Sequence, residues 1–464
     1  MRVVRTRAVG AVLTAAACAA VLSTTATFTS GVRALMAEVG LVSNDGFIMG
    51  GTGNPVPDSN YVSSVESLYL SQFSGYNFQD VETPEQFCPI ICNASEPDLD
   101  FGDSVNAGVN DLHDPVVNAL NSGDGVAVLG YSQSATVASQ LMNQLIADGQ
   151  TNLGNLHVTL LGDPNSPIGG ILDRFQFPDG VGSGSLTPEP QHVPFLDIPL
   201  NLADTPTTGG IATDIYTGEY DGWADFPEDP SNLFADLNAL IGIETVHPYY
   251  PDPTPGVNLD IGPGGAGVID LGSIGNDNFY AISAPLPTLA FMFDGGPAGQ
   301  FFYDSFAPYA TLFDDWGYGN PGDPGAGIEV NGIEPIGVAG PWTVDATGQL
   351  VESIGSGFAP QMDPLQMLAG MEYAGVQTFV GPINDLLGDA GQSPLPTSFV
   401  DSLLSGYDSL NQLDVSLLTE LTTLSATIPS LAPDVIFSGE PLISAQPLID
   451  LVGYGFDAFN FFGA

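Results

Sequence analysis

A doubly wound α/β fold with a mainly parallel sheet is what this chain predicts, and three observations carry that expectation. Short apolar runs alternate with helix-spaced segments from Gly46 to about Asn320, the rhythm of a parallel sheet with crossover helices. One run, Val126-Ala127-Val128-Leu129, leads into Gly130-Tyr131-Ser132-Gln133-Ser134 and then into a helix-compatible stretch. The 464 residues are 44% hydrophobic, enough to bury one large or two ordinary cores.

In order along the chain, Gly46-Phe47-Ile48-Met49 reads as a first strand, ending in the loop Gly50-Gly51-Thr52-Gly53-Asn54-Pro55. Residues 104–122 have helical spacing (Val105, Val109, Leu112, Val116, Leu120), with a kink or break expected at Pro115. A strand over 125–131 delivers Ser132, and residues 136–147 return to helical spacing. Val158-Thr159-Leu160-Leu161 is the next strand, ending at Gly162-Asp163-Pro164. Residues 165–209 are rich in Gly, Pro and Asp and read as a lid-like excursion. Its apolar residues, among them Ile168, Ile171, Leu172, Phe175, Phe177, Phe195 and Leu196, either wall an apolar pocket or pack a long loop onto the core. A strand over 211–219 and a helix over 232–243 precede Val246-His247-Pro248.

Beyond Asn320 the texture changes to Gly/Pro-rich turns and then to leucine-spaced segments at 364–388, 398–411 and 414–425, a helical C-terminal extension. It contains neither histidine nor a basic residue, so it reads as a packing or interaction module. The expected organisation is therefore residues 1–26 as a targeting segment, 38–320 as the α/β domain and 321–464 as the extension.

Charge narrows the function further. There are 54 acidic residues against five basic ones, for a net charge of -49. A chain without lysine cannot build a phosphate-binding surface, so nucleic acid is excluded as a partner. Three of the five arginines, Arg2, Arg5 and Arg7, precede the apolar run Ala8 to Leu22 and the small residues Thr24-Thr25-Ala26, a secretory signal pattern. Export to the exterior or cell envelope is expected, with membrane anchoring by a retained N-terminal segment as the alternative. Cys88 and Cys92 can close a small ring in an oxidising compartment. They have no second Cys or His cluster nearby, so no metal and no cofactor are expected.

The chemistry centres on Ser132. In a sharp strand-to-helix turn, positions two before and two after the serine must be small, and Gly130 and Ser134 fill them. A serine nucleophile needs an imidazole base oriented by a carboxylate. Of the four histidines, His113 falls in a helix, His157 at the start of a strand and His192 in the excursion. His247 alone follows a late helix and preserves the order Ser, Asp, His. Asp221, closest to the strand end, is the first candidate for the acid, and Asp225 is the alternative. Asp163 reads as a brace behind the site. The Gln133 backbone N–H supplies one half of an oxyanion hole, and the loop holding Gly51 and Thr52 supplies the other.

These residues resemble the PE-PPE domain serine hydrolases of mycobacteria and their relatives, a group similar to cutinases and lipases in the α/β-hydrolase superfamily. The likeness is carried by Gly51-Thr52-Gly53-Asn54-Pro55, Gly130-Tyr131-Ser132-Gln133-Ser134, Gly162-Asp163-Pro164-Asn165-Ser166-Pro167, the run Tyr220 to Pro227, and Val246-His247. Tyr280-Ala281-Ile282, Leu286-Pro287 and Trp316-Gly317-Tyr318-Gly319-Asn320 extend it. The resemblance implies hydrolysis of acyl esters, with Ser132 as nucleophile, His247 as base and Asp221 as its orienter, and a lipid or acyl-ester substrate. For some relatives it implies transfer of fatty acyl groups between envelope glycolipids such as acylated trehaloses. Where the family usually carries a PE or PPE module, this chain has the signal-like segment, so export by a general route is expected. The alternative of a different class is a catalytically idle envelope protein that binds lipid or presents an interaction surface.

Overall fold

The strands are β1 (Asp45–Ile48), β2 (Asn77–Asp80), β3 (Val126–Tyr131), β4 (Leu156–Leu161), β5 (Gln191–Val193), β6 (Ile198–Leu200), β7 (Ala212–Gly218), β8 (Val268–Ile274) and β9 (Asp277–Ile282), with a short antiparallel pair, β10 (Thr343–Val344) and β11 (Leu350–Val351), in the extension. Seven of them form one sheet in the order β2-β1-β3-β4-β7-β9-β8, and β5 and β6 form a separate hairpin. All neighbours in the large sheet are parallel except β8, which runs antiparallel to β9 at the edge. This computed structural model describes residues 44–93, 97–174, 191–193, 198–200, 203–227, 232–293, 296–318, 343–344, 350–351, 364–400 and 402–403.

The inner strands are buried on both faces, which is why β1 and β3 are nearly continuous apolar runs. Phe47, Val126, Val128, Val158, Leu160, Ile215 and Phe279 point to one side. There they meet Leu112, Val116 and Leu120 of α2 (Phe101–Ser122) and Leu141, Met142 and Leu145 of α3 (Gln133–Ala147). Ile48, Leu129, Leu161 and Ile282 point to the other, against Val65, Leu68 and Tyr69 of α1 (Ser59–Tyr69). Each such side chain is worth about 1.5–3 kcal/mol when fully buried.

The Asp100 carboxylate caps α2 by accepting from the Asp103 N–H, and Gly123 ends the helix with φ 83°. The expected break at Pro115 does not occur. The helix runs through it, because the apolar stripe on both sides of the proline is anchored to the sheet.

In the excursion, α4 (Ile171–Arg174) begins soon after β4. Ile168 and Leu172 are 1% and 2% exposed and belong to the main core, with Ile171 packed against it. These three are packing residues, and the segment is tied down by the Leu172 N–H donating to the Pro164 carbonyl at 2.9 Å and the Ile171 N–H to the Trp223 carbonyl at 3.0 Å. Phe175, Phe177, Phe195 and Leu196 lie outside the described residues.

After α5 (Leu233–Thr245), the helices α6 (Pro287–Met292) and α7 (Gly296–Tyr318) follow the sheet. The segment 364–388 of the extension forms α8 (Pro364–Asp389), which packs along α7. No described helix is long and apolar enough to cross a membrane. The signal-like segment lies outside the described residues, as does the chain beyond 403.

Candidate active site

The site lies at the carboxyl ends of the parallel strands, where loops after β1, β3, β4 and β7 converge. Ser132 follows β3 with φ 58° and ψ -121° and leads directly into α3. Such a conformation is costly for a non-glycine residue and persists only where its surroundings enforce it. Gly130 is one enforcer. A Cβ there would sit 2.4 Å from the Ser134 carbonyl oxygen, so only glycine lets the strand and the helix approach this closely. Ser134 is the other, its Oγ accepting from the Tyr131 N–H at 2.8 Å and donating to the Tyr131 carbonyl at 3.1 Å.

His247 Nε2 lies 2.7 Å from Ser132 Oγ. Its Nδ1 lies 2.9 and 2.7 Å from Oδ1 and Oδ2 of Asp221, which is fully buried. A carboxylate at Nδ1 draws the ring proton to that nitrogen and leaves Nε2 to accept from the serine O–H. Asp221 Oδ1 also accepts from the Trp223 N–H at 3.1 Å, and Oδ2 from the Tyr250 hydroxyl at 2.8 Å. The structure thus brings together three of the residues singled out in the sequence: Ser132, Asp221 and His247. Asp225 is directed elsewhere, its Oδ2 accepting from the Tyr220 N–H at 3.1 Å within the same loop.

The other histidines stand apart. His113 pairs with Asp114 on the surface of α2, and His157 binds Asp214 at 2.9 Å at the opposite, amino-terminal end of the strands. His192 is in β5.

Gly51 lies against the serine: a Cβ on it would be 2.9 Å from the Tyr131 ring and 3.2 Å from Ser132 Cβ. Thr52 Oγ1 donates to Gln133 Oε1 at 3.2 Å, and Gln133 Nε2 donates to the Gln86 carbonyl at 2.7 Å. Gln133 is the first residue of α3, and the amides of a first turn have no intrahelical acceptor. The loop and the helix start therefore flank the serine oxygen, as a pair of donors for a developing negative charge would.

Asp163 is buried but faces away from the histidine. Its Oδ1 accepts from the Asn165 N–H at 3.0 Å and its Oδ2 from Thr205 Oγ1 at 2.6 Å. Burial pushes its carboxyl up to about 6. Its effect is to tie residues 203–205, where the excursion returns, to the turn after β4.

Two residues that sequence reasoning missed complete the surroundings. Gly162, with φ 55°, leaves space that a Cβ would take from Tyr250, His247 and Asp221, at 2.9, 3.0 and 3.1 Å. Tyr250 accepts from the Gly218 N–H at 2.7 Å while donating to Asp221. Burial, and then the Asp221 charge, hold its hydroxyl well above the ordinary tyrosine range. Nothing in the spacing marked Tyr250, but Gly162 ends a strand beside the brace residue and could have been suspected.

Cys88 and Cys92 are bonded to each other. With their sulfurs committed, their grouping with Asp98 does not offer a metal the thiolates it would need.

Residues 74–289 match the family model described as PE-PPE domain. The chain carries a PE-PPE domain. The chain is 38% identical over 244 residues to "Esterase PE16" of Mycobacterium tuberculosis, covering 52% of this chain and 42% of that protein. To "PE family protein PE3" of the same organism the identity is 34% over 305 residues, 63% of this chain and 59% of the relative. "Diacyltrehalose acyltransferase Chp2", also from M. tuberculosis, is 30% identical over 158 residues, 33% of this chain and 39% of that one. The chain therefore spans about half the length of the first two relatives. Among solved structures, the catalytic core domain of acetyl xylan esterase from Trichoderma reesei overlays 43% of this chain and 91% of its own. The identity is 16% and the TM-score 0.25, so the fold assignment rests on the sheet order itself.

Proposed function

We propose that this PE-PPE domain protein is a serine esterase that hydrolyses acyl esters of lipids through an acyl-enzyme on Ser132. The observation that carries this reading is the relay Ser132 Oγ, His247 Nε2, His247 Nδ1, Asp221, with 2.7 Å between Oγ and Nε2. In the first step the Oγ–H proton passes to Nε2 while Oγ bonds to the ester carbonyl carbon, and the carbonyl oxygen takes the negative charge between the Gln133 and Gly51–Thr52 backbones. Collapse expels the alcohol, which leaves with the Nε2 proton. Water, deprotonated by the same nitrogen, then releases the acid. Asp221 stays ionised throughout and stabilises the imidazolium.

The kinship to an esterase supports this reaction class. A second reading, acyl transfer to a sugar hydroxyl, is favoured by the match to the trehalose acyltransferase, because the same acyl-enzyme can be resolved by an alcohol where water is excluded. The basic and apolar N-terminal segment supports a place outside the cytoplasm, in the medium or held at the envelope. Labelling with a fluorophosphonate tests the reading: wild type should be modified and Ser132→Ala should not. No labelling of folded wild type would leave an idle lipid-binding protein. In labelled protein, a radioactive acyl donor with and without trehalose separates hydrolysis from transfer.

A further inference from the structure

We propose that the consecutive residues Glu85 and Gln86, in the loop after β2, are positioning residues for the oxyanion hole. The inference rests on the reading of Ser132 as nucleophile. The Glu85 carbonyl accepts from the Gly53 N–H at 2.8 Å, and the next carbonyl, that of Gln86, accepts from Gln133 Nε2 at 2.7 Å. Two consecutive peptide units therefore hold both halves of the hole, and the Thr52 to Gln133 hydrogen bond closes the third side. Glu85 has φ 47°, in the left-handed region that a glutamate enters only under constraint. Gln86 is fixed in turn, its N–H donating to Ser104 Oγ at 2.9 Å and its Nε2 to the Pro97 carbonyl at 3.1 Å.

The Glu85 side chain adds a chemical consequence. It is 2% exposed; Oε1 accepts from Thr83 Oγ1 at 2.7 Å, and Oε2 has no hydrogen-bond partner among the described residues. An ionised carboxylate so placed would be an uncompensated buried charge, so the group is held as a neutral acid. Burial pushes its carboxyl up to about 8, against the smaller opposing effect of the Thr83 hydrogen bond. The titratable group facing it is Tyr61 of α1, whose own burial raises it well above the ordinary tyrosine range, so it stays neutral where Glu85 ionises. Above that pH a negative charge appears on the residue whose backbone carbonyl holds the Gly53 N–H of the oxyanion loop.

The test is the pH profile of kcat on a short-chain p-nitrophenyl ester, using the full chain. Wild-type kcat should fall about tenfold from pH 7 to pH 9.5 with KM nearly constant, because the loss is confined to the transition state. Glu85→Gln should abolish this alkaline limb, and Thr83→Val should move it to higher pH. The second variant decides the matter if the first fails to fold. A wild type with Ser132-dependent turnover whose limb is unchanged in Glu85→Gln, or unmoved in Thr83→Val, overturns the inference alone. A wild type without Ser132-dependent turnover overturns the esterase reading and the inference with it.

Discussion

Tyr250 donates its hydroxyl to Asp221 Oδ2 at 2.8 Å from the loop that, three residues earlier, carries His247. The carboxylate is thereby fixed from its own loop by the Trp223 N–H and from the histidine loop by this phenol. Tyr250→Phe should lower kcat about 10- to 100-fold with little change in KM, since one hydrogen bond to a charged group is worth about 1.5–3 kcal/mol. The Gly218 N–H loses its acceptor too, so a modest fall in Tm should accompany the kinetic loss. Kinetics together with a thermal melt check both, and an unchanged kcat would remove Tyr250 from the machinery.

Ser132→Ala should cost on the order of 10³-fold or more in kcat while the protein stays folded, as the residual rate of triad-deleted hydrolases indicates. His247→Ala should be nearly as damaging. His157→Ala should leave turnover nearly intact, because that ring is bound to Asp214 at the far end of the strands. Steady-state assays on the three variants with circular dichroism as the folding control give the answer.

For the acid, Asp221→Asn should be severe and Asp225→Asn mild in catalysis, because only Asp221 reaches Nδ1 in the described structure. An asparagine at 221 can present an N–H to the ring and favour the wrong tautomer. Asp225→Asn should show its effect in Tm instead, since its partner is the Tyr220 N–H. The reverse ranking would move the acid four residues along the loop.

Stability should rise as the solution is made mildly acidic. Burial pushes Glu219 and Asp277 each up to about 8, from ordinary values of 4.5 and 3.8. An acid whose folded pKa exceeds its unfolded one folds best protonated. Its contribution is complete below the unfolded value and is lost as pH climbs through the range to about 8. Tm should therefore be higher at pH 5 than at pH 8, and Glu219→Gln with Asp277→Asn should flatten the difference. A Tm that rises with pH in the wild type contradicts these shifts.

Gly162→Ala should damage catalysis more than its small size suggests. The added methyl would lie 3.0 Å from His247 Cε1 and 3.1 Å from Asp221 Oδ2, at a φ that alanine adopts with strain. A fall in kcat of about tenfold or more is expected, measured beside the neighbouring Asp163→Asn, which should be mild.

Strands β1, β3, β4 and β7 were legible, most clearly where burial on both faces leaves an apolar run such as Val126–Leu129, whereas the inner strand β9, which begins Asp277-Asn278, was not read as one. Nor was β2. Its sequence Asn-Phe-Gln-Asp is mostly exposed, since an edge strand needs little apolar surface, and it carries no signal beyond the Tyr-Asn-Phe context. β8 escaped for the same reason, an exposed edge paired only with β9. At the candidate site, Ser132 and His247 were legible from residue type and order along the chain. Tyr250 and Glu85 owe their place at the site to contacts with distant segments, of which a linear pattern holds no trace, and Gly162 showed only as a strand end beside Asp163. Pro115 misled for a related reason, a local rule outweighed by tertiary anchoring of the helix.

The hydroxyl of Ser134 returns both hydrogen bonds to a single residue, Tyr131, two positions upstream of Gln133. A glycine in that place would satisfy the steric demand of the turn and leave those two polar groups to find other company. Serine here is therefore a stitch across the bend, and a search that insists on glycine at the fifth position of the pentapeptide would discard sequences whose elbows are the more firmly sewn.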